Sequence, residues 1–354
     1  MSCDVILGVP FYPAEDSKLR ATSFSKRRGG NVGNTLEVLQ QLLASEETRQ
    51  DVELTLIAAL PEKTSASIDF IASSFGANNA ADTGNASSVQ VDISHCLFRD
   101  GHTEPVTSYI MASEAHSSRT IVNHNTLPEM TLDEFKAITD DLLSGFDVSK
   151  QAEHRNFWFH FEGRIPQTTL ECIAYLRKHP TFHALGGESE GSTTLKISVE
   201  VEKPGREGLQ DLAYAADVVF YSRSWAEGEG HENAGDCLRQ QKKVMRQAST
   251  SPSPPNRQLL ICTWGAQGAS ALATGQEDSA SIHSPAHSLG GAPIVDTTGA
   301  GDTFIAAMLA MLLRHGRNTP LQMLDDNALR GVLDFANTLA GRKIVQHGFQ
   351  GLCK

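Results

Sequence analysis

Apolar residues along this chain fall into short runs separated by segments of helical spacing. VELTLIAAL (52–60), NFWFHFEG (156–163), TLKISVEVEK (194–203), ADVVFYS (216–222) and QLLICTW (258–264) are rich in β-branched and aromatic residues and predict strands. Between several of them, TLECIAYLRKH (169–179) and ENAGDCLRQQKKVMRQ (232–247) carry helical periodicity. Strands alternating with helices predict an α/β fold, with a mostly parallel sheet sandwiched by helices. Residues 88–124 have a different texture. SVQVDISHCLFR, PVTSYIMAS and SRTIVNH alternate apolar and polar positions around polar turns, which predicts exposed antiparallel strands forming a small sheet over one end of the main domain. HALGGESEGSTT (183–194) and STSPSPPNR (249–257) are polar surface excursions.

Charge and cysteine usage narrow the function classes. A formal net charge of −12 at pH 7 argues against a nucleic-acid footprint. No run approaches the ~18 apolar residues of a membrane span. The N-terminal MSCDVILGVPFYPAEDSK has no basic region ahead of its apolar run, so no secretory signal is expected. The six cysteines are scattered without a CxxC pair, which predicts reduced thiols in a cytoplasmic protein rather than disulfides or a zinc site.

Two glycine-rich stretches carry candidate chemistry. In PIVDTTGAGDTFIAAMLAMLLRHG (293–316), Phe304, Ile305, Met308, Leu309, Leu312 and Leu313 recur on one helical face, and Gly316 follows as a C-cap. A helix starting near Gly301 and Asp302 leaves Gly299, Ala300 and Gly301 to offer free amides at its positive end, where a phosphate binds. Asp302 then has two readings: a helix cap, or a carboxylate that accepts a proton from an attacking hydroxyl. In RRGGNVGNTLEVLQQL (27–42), Gly29, Gly30 and Gly33 make a turn ahead of an apolar face at Val32, Leu36, Leu39 and Leu43. Asn31 and Asn34 project paired donors and acceptors suited to the vicinal hydroxyls of a sugar, or else cap the helix. His160 is expected to pack within its strand.

GGNVGN and DTTGAGDTF together resemble the sugar-binding and catalytic signatures of the PfkB family of carbohydrate kinases, which have a ribokinase-like fold. YPAEDSKLR (12–20), SSRTIVNHNTLP (117–128), HFEGR (160–164), KISVEVEKPGREGL (196–209), CTWGAQGASAL (262–272) and AGRKIVQHGFQGL (340–352) are similar, in order, to segments of its ketohexokinase branch. The resemblance implies one kinase domain over residues 1–354, with a small antiparallel β lid from segments near 5–25 and 88–125. It implies transfer of the γ-phosphoryl group of ATP to a sugar hydroxyl, first among acceptors a ketose such as fructose, giving the 1-phosphate. Another sugar, a nucleoside, or a catalytically silent nucleotide-binding member stay open as alternatives.

The same resemblance implies the site residues. Asp302 would be the general base, with Gly299, Ala300 and Gly301 as the anion hole. Asp4, Gly30, Asn31 and Asn34 would hold the sugar, and Arg119 would be a lid arginine facing the phosphates. Gly265, Ala266, Gln267 and Gly268 would form the ATP-binding turn. Asp16 would reach across a homodimer interface of interlocked lid sheets. Magnesium would be held through phosphates rather than a protein cage, and a monovalent cation could activate. The chain departs from the pattern in three places. It begins at MSCD, so the first central strand, ahead of Asp4, is expected to be missing. Ser222-Arg223-Ser224-Trp225 stands where the wider family has an NxxE motif, and Ile305 stands where ketohexokinases have an Asn.

Overall fold

A computed structural model describes residues 1–44, 52–76, 89–116, 118–144, 156–183, 194–247, 258–275, 279–316 and 324–353. Most of the two polar excursions, at 184–193 and 249–257, lies outside these residues. The described chain divides into two units, Met1–Met130 and Thr131–Lys354.

In the first unit the elements run β1 (Ser2–Val9), β2 (Ser23–Gly29), α1 (Asn31–Leu43), β3 (Leu54–Thr55), β4 (Ala59–Pro61), α2 (Ala66–Ser73), β5 (Val91–Asp92), β6 (Leu97–Arg99), β7 (Thr107–Ser113) and β8 (Ser118–His124). A four-stranded sheet has the order β2-β1-β7-β8. β1 pairs in parallel with β7, while the two outer pairings are antiparallel. The expected small lid sheet is therefore mixed, and the parallel pair is possible because β1 and β7 are far apart in sequence.

Residues 89–105 do not join that sheet. β5 pairs in parallel with β3, and β6 in parallel with β4. The run at 52–60, expected as one strand, is two short strands because it changes partner midway. The Leu56 amide still donates to Asp92 at 2.8 Å, whereas the carbonyl of Ala58 already accepts from Leu97 at 2.9 Å. α1 forms as the spacing predicts, burying Leu36, Leu39 and Leu43 along with Val38 and Leu42.

The second unit runs α3 (Leu132–Ser144), β9 (Asn156–Phe161), α4 (Pro166–Lys178), α5 (Pro180–His183), β10 (Thr194–Val201), α6 (Leu209–Ala215), β11 (Val218–Tyr221), α7 (Arg223–Gly228), α8 (Ala234–Gln247), β12 (Leu259–Thr263), β13 (Ala269–Ala273), β14 (Ile282–Ser284), α9 (Ala300–Gly316) and α10 (Asp326–Ile344). Its six-stranded sheet has the order β14-β13-β12-β11-β10-β9. β9 to β12 are parallel and joined through helices, and β13 and β14 continue antiparallel. The carboxyl ends of the four parallel strands thus share one edge, where α/β sheets bind ligands. Phe135 of α3 seals one face of β9, its ring 6.4 Å from Phe159 and 5.9 Å from Phe161.

α9 differs from its sequence pattern. Its apolar positions predict one buried face, yet Asp302 to Ala310 are all buried. The residues between the large ones are Ala306, Ala307 and Ala310, each fully buried, and α10 packs along this helix. A helix apolar on all sides belongs inside.

Candidate active site

The first unit gathers four of the residues expected to hold the sugar around the start of α1. Gly30 is the N-cap, with φ 99°, and no side chain caps the helix. Asn31 is therefore the first helical residue rather than a cap, and Asn34 lies one turn on. Asp4 is buried in β1, with Arg27 Nε 3.6 Å from its Oδ2. A Cβ on Gly29 would fall 2.6 Å from the Asp4 carboxyl carbon, so this position stays bare to admit that carboxylate.

Asn34 is held from behind by a residue that sequence reasoning missed. Arg28 is buried, and its Nη1 donates to Asn34 Oδ1 at 2.9 Å. Its Nε donates to Ser74 at 2.8 Å, its Nη2 pairs with Glu37, and its guanidinium lies 5.1 Å from the centre of the Phe75 ring. Burial pushes the Glu37 carboxyl up, and the Arg28 charge opposes that shift. An arginine ahead of two glycines reads in sequence as a surface charge; only α1 and α2 reveal its enclosure.

The lid sheet sorts the remaining candidates of this unit. Strand register puts Asp4, Gly8, Ile110 and Arg119 on one face of the sheet. Phe24, Val5, Leu7, Tyr109, Met111 and Val122 lie on the opposite face. Of these, Phe24, Tyr109 and Val122 are at least half exposed, at 67, 50 and 57 %. Asp16 sits away from the sheet in an exposed turn with φ 58°, where the Ser17 amide donates to the Ala14 carbonyl at 3.1 Å.

In the second unit, Gly299 has φ 78° and its carbonyl accepts from the Thr303 amide at 2.9 Å and hydroxyl at 2.8 Å. α9 starts at Ala300, one or two residues earlier than its pattern predicts, which makes Asp302 its third residue and not its cap. The carboxylate is buried in the first turn. A Cβ on Gly301 would meet nothing within 4 Å, and its φ needs no glycine. Bare backbone facing open space beside a helix N-terminus fits the approach of a phosphate group.

Gly265 to Gly268 close the hairpin between β12 and β13. The Trp264 amide donates to Gly268 at 2.7 Å, and Gly268 donates back to Gly265 at 3.0 Å. Gly265, Ala266 and Gln267 are exposed. Gly268 is a packing glycine: a Cβ there would lie 2.6 Å from the Ala286 amide nitrogen. Among the described residues, no group of three or more His, Cys, Asp or Glu side chains converges on a metal position, and no helix is long and apolar enough to cross a membrane.

A partly buried polar chain also crosses β9 and β10. Trp158 Nε1 donates to Ser198 Oγ at 2.8 Å, which lies 2.8 Å from His160 Nδ1. His160 Nε2 lies 3.1 Å from Glu200 Oε1. A carboxylate only accepts, so His160 carries its proton on Nε2, and the Ser198 hydroxyl donates to Nδ1. Burial lowers the His160 pKa to about 4, with the Glu162 charge acting in the other direction. His160 does pack within its strand, as expected, but as a hydrogen-bonded link.

The pfkB family carbohydrate kinase model matches residues 2–353 of the chain. Ketohexokinase from Mus musculus is 27% identical over 350 residues, covering 99% of this chain and 95% of that protein. The structure of a ribokinase from Giardia lamblia superposes with a TM-score of 0.70 at 16% identity, over 100% of this chain and 93% of the other. An Arabidopsis thaliana ribokinase complexed with ribose and ATP gives 0.61 at 15% identity, over 98% and 91%. The fold is ribokinase-like.

Proposed function

The chain belongs to the pfkB family of carbohydrate kinases and is an ATP-dependent carbohydrate kinase, and we propose that its acceptor is a ketose such as fructose, which it converts to the 1-phosphate. The observation that carries this reading is the start of α9, where buried Asp302 stands next to Gly301, whose backbone faces open space. The similarity to a ketohexokinase along nearly the whole chain supports a ketose over other acceptors.

In this reading residues 1–354 act as one kinase domain. Asp4, Gly30, Asn31 and Asn34 hold the sugar hydroxyls, and the Arg28 clamp keeps the Asn34 amide oriented while they do so. Asp302 takes the proton of the attacking hydroxyl as the hydroxyl oxygen bonds to the γ-phosphorus and the bond to ADP breaks. The amides of Gly299, Ala300 and Gly301 form the anion hole for the charge that develops on the transferred group, the Ala300 amide giving up its 3.3 Å bond to the Thr297 carbonyl to do so. Arg119 meets the phosphates from the lid, and Gly265 to Gly268 border the nucleotide. Magnesium would be held through the phosphates and would supply further charge neutralisation.

The apolar face of Phe24, Tyr109 and Val122 supports a homodimer through paired lid sheets, with Asp16 offered to the partner. Three large apolar side chains, each at least half exposed on one sheet face, mark an interaction surface. The six cysteines are all free thiols, five of them buried, which fits the reducing cytoplasm.

A coupled assay of ATP consumption against ketoses, aldoses and nucleosides tests the reading. Turnover greatest with a ketose, with the 1-phosphate as product, supports it. Preference for a nucleoside or an aldose overturns the acceptor, and absence of turnover with every acceptor overturns the catalytic reading.

A further inference from the structure

The start of α7, directly after β11, presents a cation that none of the roles above uses. Tyr221 of β11 is in register with Cys262 of β12, and the strands are parallel, so the residues that follow them emerge side by side at the carboxyl edge of the sheet. Arg223 leaves β11 there and Trp264 leaves β12. The Arg223 guanidinium lies 5.9 Å from the centre of the Trp264 ring, and its Nη1 is 3.8 Å from where a Cβ on Gly265 would stand. The cation therefore borders the exposed turn of Gly265, Ala266 and Gln267.

Its setting is fixed. Ser222 and Ser224 both donate to the Glu202 carbonyl, at 2.6 and 3.0 Å, which ties the start of α7 down on either side of Arg223. Trp264 is buried to 4% exposure and makes a rigid platform. Glu227 accepts from Arg223 Nε at 2.7 Å, which orients the guanidinium plane and directs that contact away from the Nη edge. The side chain is 54% exposed, so this ion pair contributes little to folding. What the arrangement does supply is an oriented fork of N–H donors, the geometry that matches two oxygens of one phosphate. On a chain of formal charge −12, a polyanion needs such a local cation.

We propose that Arg223 grips the phosphate groups of the nucleotide donor, standing beside the 265–268 turn and braced by Trp264 and Glu227. The proposal rests on the reading of that turn as the nucleotide side of the site. It makes Arg223 a determinant of how strongly the enzyme distinguishes a nucleoside polyphosphate from a bare nucleoside.

Calorimetric titration of the full chain with ATP, ADP and adenosine, each with magnesium and without sugar, tests this apart from turnover. Arg223→Ala should weaken ATP and ADP by about ten- to a hundredfold, the worth of a charge-assisted hydrogen bond, and leave adenosine within about twofold. Arg223→Lys should recover part of the loss, keeping the charge without the fork. The melting temperature of ligand-free Arg223→Ala should match the wild type. If the wild type binds ATP and Arg223→Ala binds it equally well, this inference falls and the nucleotide reading stands. Equal losses for ATP and adenosine also overturn it, because they would mean that the platform had collapsed. A wild type that binds no ATP overturns the nucleotide reading and this inference with it.

Discussion

Lys343, fully buried near the end of α10, donates from Nζ to the carbonyl of Asp296 at 3.0 Å and lies 3.3 Å from its carboxylate. The same ammonium reaches the Gln346 carbonyl at 3.3 Å and lies 5.4 Å from the centre of the Phe349 ring. The amides of Val295 and Asp296 both donate to Ile344, at 2.7 and 3.1 Å. The segment that delivers Gly299 and Asp302 is thus pinned to the far end of a neighbouring helix.

Removing that pin should be costly. Lys343→Met keeps the bulk but removes the ammonium 3.3 Å from the Asp296 carboxylate, which is 12% exposed. Breaking a buried pair on one side costs about 3–5 kcal/mol. Urea unfolding of the variant should show a loss of that order, together with reduced turnover as the α9 start loosens. A midpoint equal to the wild type would show that Asp296 is solvated well enough to need no partner.

Asp302→Asn keeps the shape of the first turn of α9 and removes the proposed base. Turnover should fall by about a hundred- to ten-thousandfold, the usual worth of a positioned general base. Nucleotide affinity should change little, because in the proposed reading binding relies on backbone amides and cations elsewhere. Retained turnover would take Asp302 out of its proposed role.

The legible parts of this chain were the ones whose signal is local. β9, β10, β11 and β12 lie within or across the runs that predict them, and α4 and α8 follow their periodicity, because burial on a sheet or helix face imprints itself on neighbouring residues. The division of 52–60 into two strands depends on a change of partner some forty residues away, which no local pattern records. For the same reason 88–105 read as lid: short strands in parallel pairs alternate as exposed antiparallel ones do. Arg28 shows the limit within the site itself. Its neighbours Asn34, Glu37, Ser74 and Phe75 come from two helical regions, and only folding makes a surface-like RR pair into one buried clamp. Arg223 was visible as a departure from a motif, but its neighbour Trp264 belongs to the next strand.

The exposed lid face makes a prediction about assembly. Tyr109 and Val122 are directly paired across β7 and β8, and both point to the exposed apolar face. Placing charges there with Tyr109→Asp and Val122→Lys should dissociate the proposed dimer without unfolding the monomer, since neither side chain is buried. Sedimentation at micromolar concentration should show a dimer for the wild type and a monomer for the double variant. A wild type that sediments as a monomer would count against the lid interface.

His160 makes a prediction about pH. Its ring is neutral in the folded chain, with a pKa of about 4, because burial disfavours the cation. An unfolded chain binds the proton near pH 6.5. Above that pH neither state is protonated at this residue, and its contribution to stability is constant. As the pH falls from 6.5 toward 4 the unfolded state takes up the proton and the folded state does not, so stability drops. The drop should approach about 3 kcal/mol near pH 4, at 1.36 kcal/mol per pH unit. His160→Gln retains a donor for Glu200 but cannot titrate, so it should be less stable than the wild type at pH 7.5 and lose less between pH 6.5 and 4. Unfolding free energies of both proteins across this range supply the check. Parallel pH profiles would show that His160 reaches solvent and takes up its proton without penalty.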